Sequence, residues 1–382
     1  MPSRPTHVPI TILTGFLGSG KTTTLNHLLR QPGLEGTIAI VNEFGEVGID
    51  HLLIETSEER FALLDNGCIC CTVRGDLVET LKSIAARRDA GELPQFGRVL
   101  LETTGLADPA PVLHTLMVDA EIAALYRIDG VVVTVDAVNG AATLRGYGEA
   151  VKQVGVADRL LITKTDLATE PQIKDLVARL TAINPTADII AIRDGRVAPA
   201  AVLGIGLFDP AARGAEVVAW FERAAAAAAG ADHHHGHHDD CAGAACDHPA
   251  HSGHDHGHQH GGVHSFSLLI DGPVEWEPFA QWLDYVASLR GEDLLRFKGI
   301  VDVAGKPDRP VVVHGVQHVF HPPKELDGWP TSERQSRLVF IVRDIEQSLI
   351  ERTLCKFASI DAARIRKPLQ TAAVHHGLLE TA

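Results

Sequence analysis

The chain has 382 residues, 45% of them hydrophobic, enough to bury one large core and a second smaller one. Its formal net charge of −15 disfavours acidic clients and excludes a nucleic-acid partner, which would need a basic surface to meet phosphate. The opening "MPSRPTHVPITILTGF" has no charged start followed by an apolar stretch and cleavage site, and no run approaches the roughly 18 apolar residues that span a bilayer. A cytoplasmic protein with no membrane partner is therefore expected, and its six clustered cysteines read as metal or redox groups rather than as a disulfide framework.

Up to about residue 215, short apolar runs alternate with helix-like segments. The runs are "VPITIL" at 8–13, "TIAIV" at 37–41, "RVLLE" at 98–102, "GVVVTVD" at 130–136, "RLLIT" at 159–163 and "ADIIAI" at 187–192. Near-continuous Val, Ile and Leu suits strands buried on both faces, so residues 1–215 are expected to form an α/β domain, a parallel sheet flanked by helices. Ligands of such sheets bind outside the carboxyl ends of the strands.

The first of those ends carries "GFLGSGKT", Gly15 to Thr22, which fits G-x-x-x-x-G-K-[ST] with a strand before it and the helix "TTTLNHLLRQ" after it. Glycines at 15, 18 and 20 permit backbone angles that wrap successive amides around a phosphate, and the helix N-terminus adds its dipole. The expected nucleotide-binding set here is Gly15, Gly18, Ser19, Gly20, Lys21, Thr22 and Thr23. Lys21 would meet the β- and γ-phosphates, and Thr22 would give its hydroxyl to Mg²⁺.

Further along, "DNGCICC" at 65–71 puts Cys68, Cys70 and Cys71 into four positions. Adjacent cysteines close a disulfide only with strain, whereas soft thiolates suit Zn²⁺ or Cu(I). A closed structural zinc site uses four protein ligands, and no fourth Cys or His lies within the next forty residues, so a distant residue such as His51 or His114 would have to supply it. Without one, the fourth position stays open for exchange. Packing of the three cysteines as small apolar groups is the remaining alternative.

The strand "RVLLE" ends in "ETTGLADP" at 102–109. An acid closing a buried strand holds magnesium through water in phosphate-loop enzymes, and a following glycine amide senses the γ-phosphate, which gives Glu102 and Gly105 these roles beside Lys21. Asp108 and Pro109 read as a helix start. After "RLLIT", "TKTD" at 163–166 offers Asp166 to the ring N–H and amino group of guanine, with the Lys164 stem over the base. Thr163 stands where GTP-binding proteins usually carry Asn.

From about 216 the character changes. "EVVAWFERAAAAAAG" reads as a helix, and a low-complexity stretch follows, so 216–262 is expected to be a helix and a disordered, metal-gathering linker. Residues 233–264 hold 12 of the 21 histidines, together with Cys241 and Cys246. Residues 263–358 alternate strand and helix patterns and are expected to form a smaller α+β domain, with His314 and His318 on one strand face. Residues 359–382 are expected to be a frayed tail.

"GFLGSGKT", "NEFGEVGID" at 42–50, "GCICC" at 67–71, "ETTGLADP" and "TKTD", in this order and ahead of a separate C-terminal domain, resemble the CobW-like P-loop GTPases. The resemblance implies GTP hydrolysis with GTP and Mg²⁺ as ligands, coupled to Zn²⁺ bound at Cys68, Cys70 and Cys71 and transferred to an unidentified client metalloprotein. By position it makes "NEFGEVGID" the nucleotide-responsive switch, with Glu43 and Glu46 as candidate metal or magnesium-sensing carboxylates. The other readings are cobalt handling in cobalamin synthesis, a regulatory GTPase with structural zinc, and a His-rich metal buffer. Oligomeric state is left open.

Overall fold

The computed structural model describes residues 7–41, 61–63, 72–205, 262–330, 334–366 and 379–380, which build two packed domains. The first is an all-parallel sheet in the order β3-β2-β4-β1-β5-β6-β7-β15, with β1 Val8–Gly15, β2 Thr37–Val41, β3 Phe61–Leu63, β4 Arg98–Glu102, β5 Tyr126–Asp136, β6 Arg159–Thr163, β7 Asp188–Ala191 and β15 Leu379–Glu380. Each apolar run named above becomes one of these strands. Period-two alternation sorts their side chains between two layers: Val99 and Leu101 of β4 enter one core, and Leu100 between them enters the other. Every residue of β1 is buried, because helices cover both faces.

The helices on these faces are α1 Lys21–Leu29, α2 Thr72–Asp89, α3 Ala110–Val118, α4 Ala120–Leu125, α5 Gly140–Gly146, α6 Gly148–Val156 and α7 Glu170–Ile183. Leu25 and Leu28 of α1 join the core formed with Leu13, Leu100 and Leu161, whereas α2, α3, α6 and α7 contribute to the opposite layer with Ile10, Ile12 and Val99. After β1 the chain crosses to β2 and β3 on one side, returns to β4 beside β1, and then continues through β5, β6 and β7 on the other side, so the direction of winding reverses at β1 and a crevice opens beyond its carboxyl end.

The second domain is an antiparallel sheet in the order β11-β10-β9-β13-β8-β14 with β12 beside β10. Its strands are β8 Val263–Ile270, β9 Arg296–Val301, β10 Val311–Val316, β11 Val319–Phe320, β12 Lys324–Glu325, β13 Ser336–Arg343 and β14 Ile365–Arg366. Helices α8 Trp276–Arg290 and α9 Gln347–Phe357 cover one face around Phe279, Trp282, Phe297 and Phe340. Residues 359–366, expected as tail, instead pack onto this domain: Ile360 is buried and Ile365–Arg366 pairs with β8. Leu379–Glu380 lies parallel to β7.

The opposite face of β9 turns Arg296 and Lys298 toward the first domain, where both are buried against Asp158. Lys298 Nζ lies 2.7 Å from Asp158 Oδ1, Arg296 bonds the same oxygen, and Asp158 Oδ2 accepts from the Val131 amide at 3.0 Å. Burial alone would raise the Asp158 pKa, but the two cations and these hydrogen bonds outweigh it and hold it at about 2. His314 sits beside this cluster. The expected pairing of His314 with His318 is replaced, because Gln317 takes φ 51° and the chain folds back, bringing His321 to a ring-centroid distance of 4.6 Å from His314. His318 lies in that turn, with Nδ1 3.0 Å from the Ala287 carbonyl.

Candidate functional site

The site assembles at the carboxyl ends of β1, β4, β5 and β6. Beyond β1 the chain enters the loop 15–20 with Gly15 at φ 144°, Gly18 at 71° and Gly20 at 90°. Gly15 has no room for a side chain: a Cβ there would lie 2.4 Å from the Thr134 carbonyl oxygen. Gly20 takes the left-handed conformation immediately before α1, where L side chains are strained. The Lys21 side chain bends back over the loop, Nζ donating to the Gly15 carbonyl at 3.0 Å and the Phe16 carbonyl at 3.3 Å. Ser19 Oγ is 2.7 Å from Thr134 Oγ1, tying the loop to β5.

Glu102 closes β4 as a buried carboxylate, and Thr22 donates its hydroxyl to Glu102 Oε1 at 2.7 Å. A hydroxyl and a carboxylate oxygen converging at the start of a phosphate-loop helix form a hard-oxygen donor pair of the kind that suits Mg²⁺. Gly105 then passes directly over the loop: a Cβ on it would come within 2.6 Å of Leu17 Cδ2, 2.7 Å of Leu17 N and 2.8 Å of Leu17 Cα. Behind this segment, Gln153 Nε2 of α6 donates to the carbonyls of Gly105 at 3.2 Å and Ala107 at 3.0 Å. Asp108 accepts from the Ala110 amide at 3.0 Å, while the N-cap position of α3 falls on Pro109 and not on Asp108 as expected.

At the end of β6, Thr163 is buried and donates to the Ser19 carbonyl at 2.7 Å, so its hydroxyl braces the phosphate loop from behind. Lys164 adopts φ 55° and its Nζ lies 2.7 Å from Asp136 Oδ2. Burial tends to raise the Asp136 pKa, yet hydrogen bonds from Lys164, from the Asn139 side chain and from the amides of Asn139 and Val138 hold it below the ordinary carboxylate range. Asp166 is exposed just beyond, and Thr165 Oγ1 donates to the Ile192 carbonyl at 3.1 Å, joining this segment to the end of β7.

Thr23 is exposed on the first turn of α1, on a cleft of about 520 Å³ shared with Thr22, Asn26, His27, Arg30 and Arg196. Burial, then Arg196 and Arg30, lower the His27 pKa. Behind the loop, a cavity of about 310 Å³ is lined in part by Phe16, Tyr147, Asp136 and Gln153, with the Phe16 and Tyr147 rings 4.5 Å apart.

Lys21, Thr22, Glu102, Gly105, Thr163 and Lys164 are thus brought around one crevice. Glu43, Glu46, Cys68, Cys70 and Cys71 lie outside the described residues, as do His51, the helix expected near 216–230 and every residue of the His-rich tract before 262. Among the described residues no group of three or more His, Cys, Asp or Glu side chains is placed to hold a metal ion. His114, considered as a distant ligand, is half-buried on α3. The sequence reading missed Asp136, although an acid closing the apolar run "GVVVTVD" repeats the signal that marked Glu102. It also missed Gly195, in the turn signal "RDGR", where a Cβ would lie 2.8 Å from the Thr23 carbonyl oxygen. Gln153 gave no local signal, since its partners are 46 and 48 residues away.

A sequence model of the CobW/HypB/UreG nucleotide-binding domain matches residues 9–191, and one of the cobalamin synthesis protein cobW C-terminal domain matches residues 263–358. The zinc chaperone YjiA of Escherichia coli is 31% identical over 334 residues, covering 87% of this chain and 93% of that protein. The zinc chaperone CobW of Pseudomonas aeruginosa is 31% identical over 365 residues, covering 91% and 90%. The crystal structure of the Zn(II)-bound YjiA GTPase from E. coli superposes with a TM-score of 0.63 at 25% identity, covering 92% of this chain and 99% of that one.

Proposed function

The chain is a P-loop GTPase of the CobW/HypB/UreG family carrying a CobW C-terminal domain, and from that premise we propose that it uses GTP hydrolysis to bind and hand over Zn(II) to client metalloproteins. The observation that carries the nucleotide half is the Thr22–Glu102 contact of 2.7 Å beside Lys21 and beneath Gly105. Support for the metal half comes from relatives named zinc chaperones and from three thiolates, Cys68, Cys70 and Cys71, in the sequence between the switch stretch 42–50 and β4.

The loop amides and Lys21 receive the β- and γ-phosphates in a site whose helix dipole already favours negative charge. The Thr22 hydroxyl and the Glu102 carboxylate would hold the Mg²⁺ that accompanies the triphosphate, and the ion would supply neutralisation of charge developing on the phosphate oxygens. The Gly105 amide orients toward the γ-phosphate, and Asp166 and Lys164 engage guanine. Attack of water on the γ-phosphorus breaks its bond to the bridging oxygen and leaves GDP and inorganic phosphate. Loss of the γ-phosphate removes the partner of the Gly105 amide and changes the Mg²⁺ surroundings that Glu43 and Glu46 would sense, and this would relax the segment of Cys68, Cys70 and Cys71 that lies between them in the sequence. A thiolate triad with its fourth position open then exchanges Zn(II) with a client ligand.

The test is transfer itself. Zinc-loaded protein is mixed with a fluorescent zinc chelator or an apo zinc enzyme in the presence of GTP, GDP or a non-hydrolysable analogue. Transfer should accelerate with GTP alone and be lost in Lys21→Ala and Cys70→Ser. Equal rates with GTP and GDP would contradict the proposal, and zinc that never exchanges would make the site structural.

A further inference from the structure

Gln153 sits in the middle of α6 and is 1% exposed, yet its carboxamide donates to two carbonyls of one irregular segment, Gly105 at 3.2 Å and Ala107 at 3.0 Å. Burying an amide is unfavourable unless its hydrogen bonds are made, so this geometry fixes both the glutamine and the segment it grips. The preceding residue strengthens the grip from the surface, where Lys152 Nζ pairs with Asp108 Oδ2 at 3.0 Å. The segment is therefore held between Leu17 of the phosphate loop on one side and α6 on the other.

The other end of the same helix belongs to the domain boundary. The Val156 carbonyl accepts from Arg296 Nη1 at 2.8 Å, and a Cβ on Gly155 would lie 3.1 Å from Leu295 Cδ1 and 3.6 Å from Ile341 Cγ2. Asp158, two residues beyond, is buried against Arg296 and Lys298. Only two to four residues of the same helix, about 3–6 Å at 1.5 Å each, separate Lys152 and Gln153 from Gly155 and Val156, so the two contacts are rigidly connected. The following helix repeats the connection, since α3 leaves the gripped segment and packs against β10 and β11.

We propose that Gln153 is a positioning residue for GTP hydrolysis, holding Gly105–Ala107 in register with the phosphate loop, and that α6 anchors this latch to the C-terminal domain. The proposal rests on the GTPase activity and is independent of zinc, so it is tested on the full chain without added metal. Gln153→Leu, which keeps the volume and removes both donors, should lower kcat about tenfold while KM for GTP and affinity for GDP stay within about twofold, because GDP does not use the segment. Gln153→Glu, which faces a carboxylate toward two carbonyl oxygens, should be worse than leucine. A purely structural role would instead lower melting temperature and weaken GTP and GDP binding together. Should Gln153→Leu fail to fold, the surface variant Lys152→Ala carries the test, with a loss of about two- to threefold confined to kcat.

Gly155→Ala inserts a methyl between α6 and Leu295 and should change kcat about twofold or more at unchanged KM. Full activity of Gln153→Leu, or a loss lying wholly in KM and GDP affinity, would overturn the latch. An unaltered kcat in Gly155→Ala would overturn its anchoring to the second domain. A wild-type chain without GTPase activity would overturn the GTPase reading as well, which separates the two failures.

Discussion

Asp158→Asn removes the one negative charge from a buried group in which Arg296, Lys298 and Asp158 meet between the domains. All three side chains are at most 6% exposed, so the cations left behind have no water to turn to. Deleting one member of such a set costs about 3–5 kcal/mol, mostly because charge stays buried without compensation. The asparagine cannot repair the loss: its carbonyl oxygen can serve Lys298 or Arg296, but its amide nitrogen then faces the Val131 N–H that Asp158 Oδ2 now satisfies. Urea unfolding of the full chain, followed by far-UV circular dichroism, should show that loss. Replacing Arg296 and Lys298 by Met in an Asp158→Leu background should recover most of it, since apolar side chains of similar volume need no partner. A loss below about 1 kcal/mol in the single variant, or a triple variant no more stable than it, would refute the argument that these charges are buried and mutually compensating.

Acid should weaken the protein in two stages. Burial, then His321, Arg296, Lys298 and Lys324, hold the His314 pKa well below its usual value, and burial and Arg296 bring His321 to about 3 despite Asp158. Since the unfolded histidines bind protons from about pH 6.5 downward while the folded ones do not, stability should fall by about 1.4 kcal/mol per pH unit for each histidine below that point, and His321→Phe should flatten the slope. Asp158, lowered from 3.8 to about 2, contributes stability that is complete above its unfolded value and lost only as pH falls from about 4 to 2, an amount of about 2–3 kcal/mol. Gly105→Ala forces a methyl against Leu17 backbone atoms and should reduce the GTPase kcat about tenfold or more, with GDP affinity within about twofold in calorimetric titration. Lys21→Ala should lose GTP binding and keep zinc, whereas Cys70→Ser should lose zinc and keep GTP, as read by nucleotide and metal titrations of each variant.

The strands and the phosphate loop were legible in the sequence because both are encoded locally. A strand buried on two faces needs an unbroken apolar run, as in "GVVVTVD", and the loop needs glycine where φ is positive or a Cβ would strike β5, as at Gly15. Thr163 was less legible: it stands where GTP-binding proteins usually carry Asn, and nothing local shows that it braces Ser19 across 144 residues of chain. Arg296 and Lys298 alternate with apolar residues on β9, the pattern of a solvated face, and only the docking of the first domain turns that face into an interior. His314 and His318 shared strand parity on paper, but Gln317 reverses the chain between them and hands the contact to His321. Such contacts depend on non-local packing and turn geometry, which composition and periodicity do not carry.

The central claim is that nucleotide and zinc are coupled through one domain, and reciprocity makes this measurable at equilibrium. Affinity for a non-hydrolysable GTP analogue should be determined on the full chain with and without saturating Zn(II), beside Cys70→Ser. A coupled protein shows a difference of about fivefold or more, matched by an equal change in zinc affinity when the analogue is bound and absent from Cys70→Ser. Identical analogue affinities with and without zinc would contradict the account.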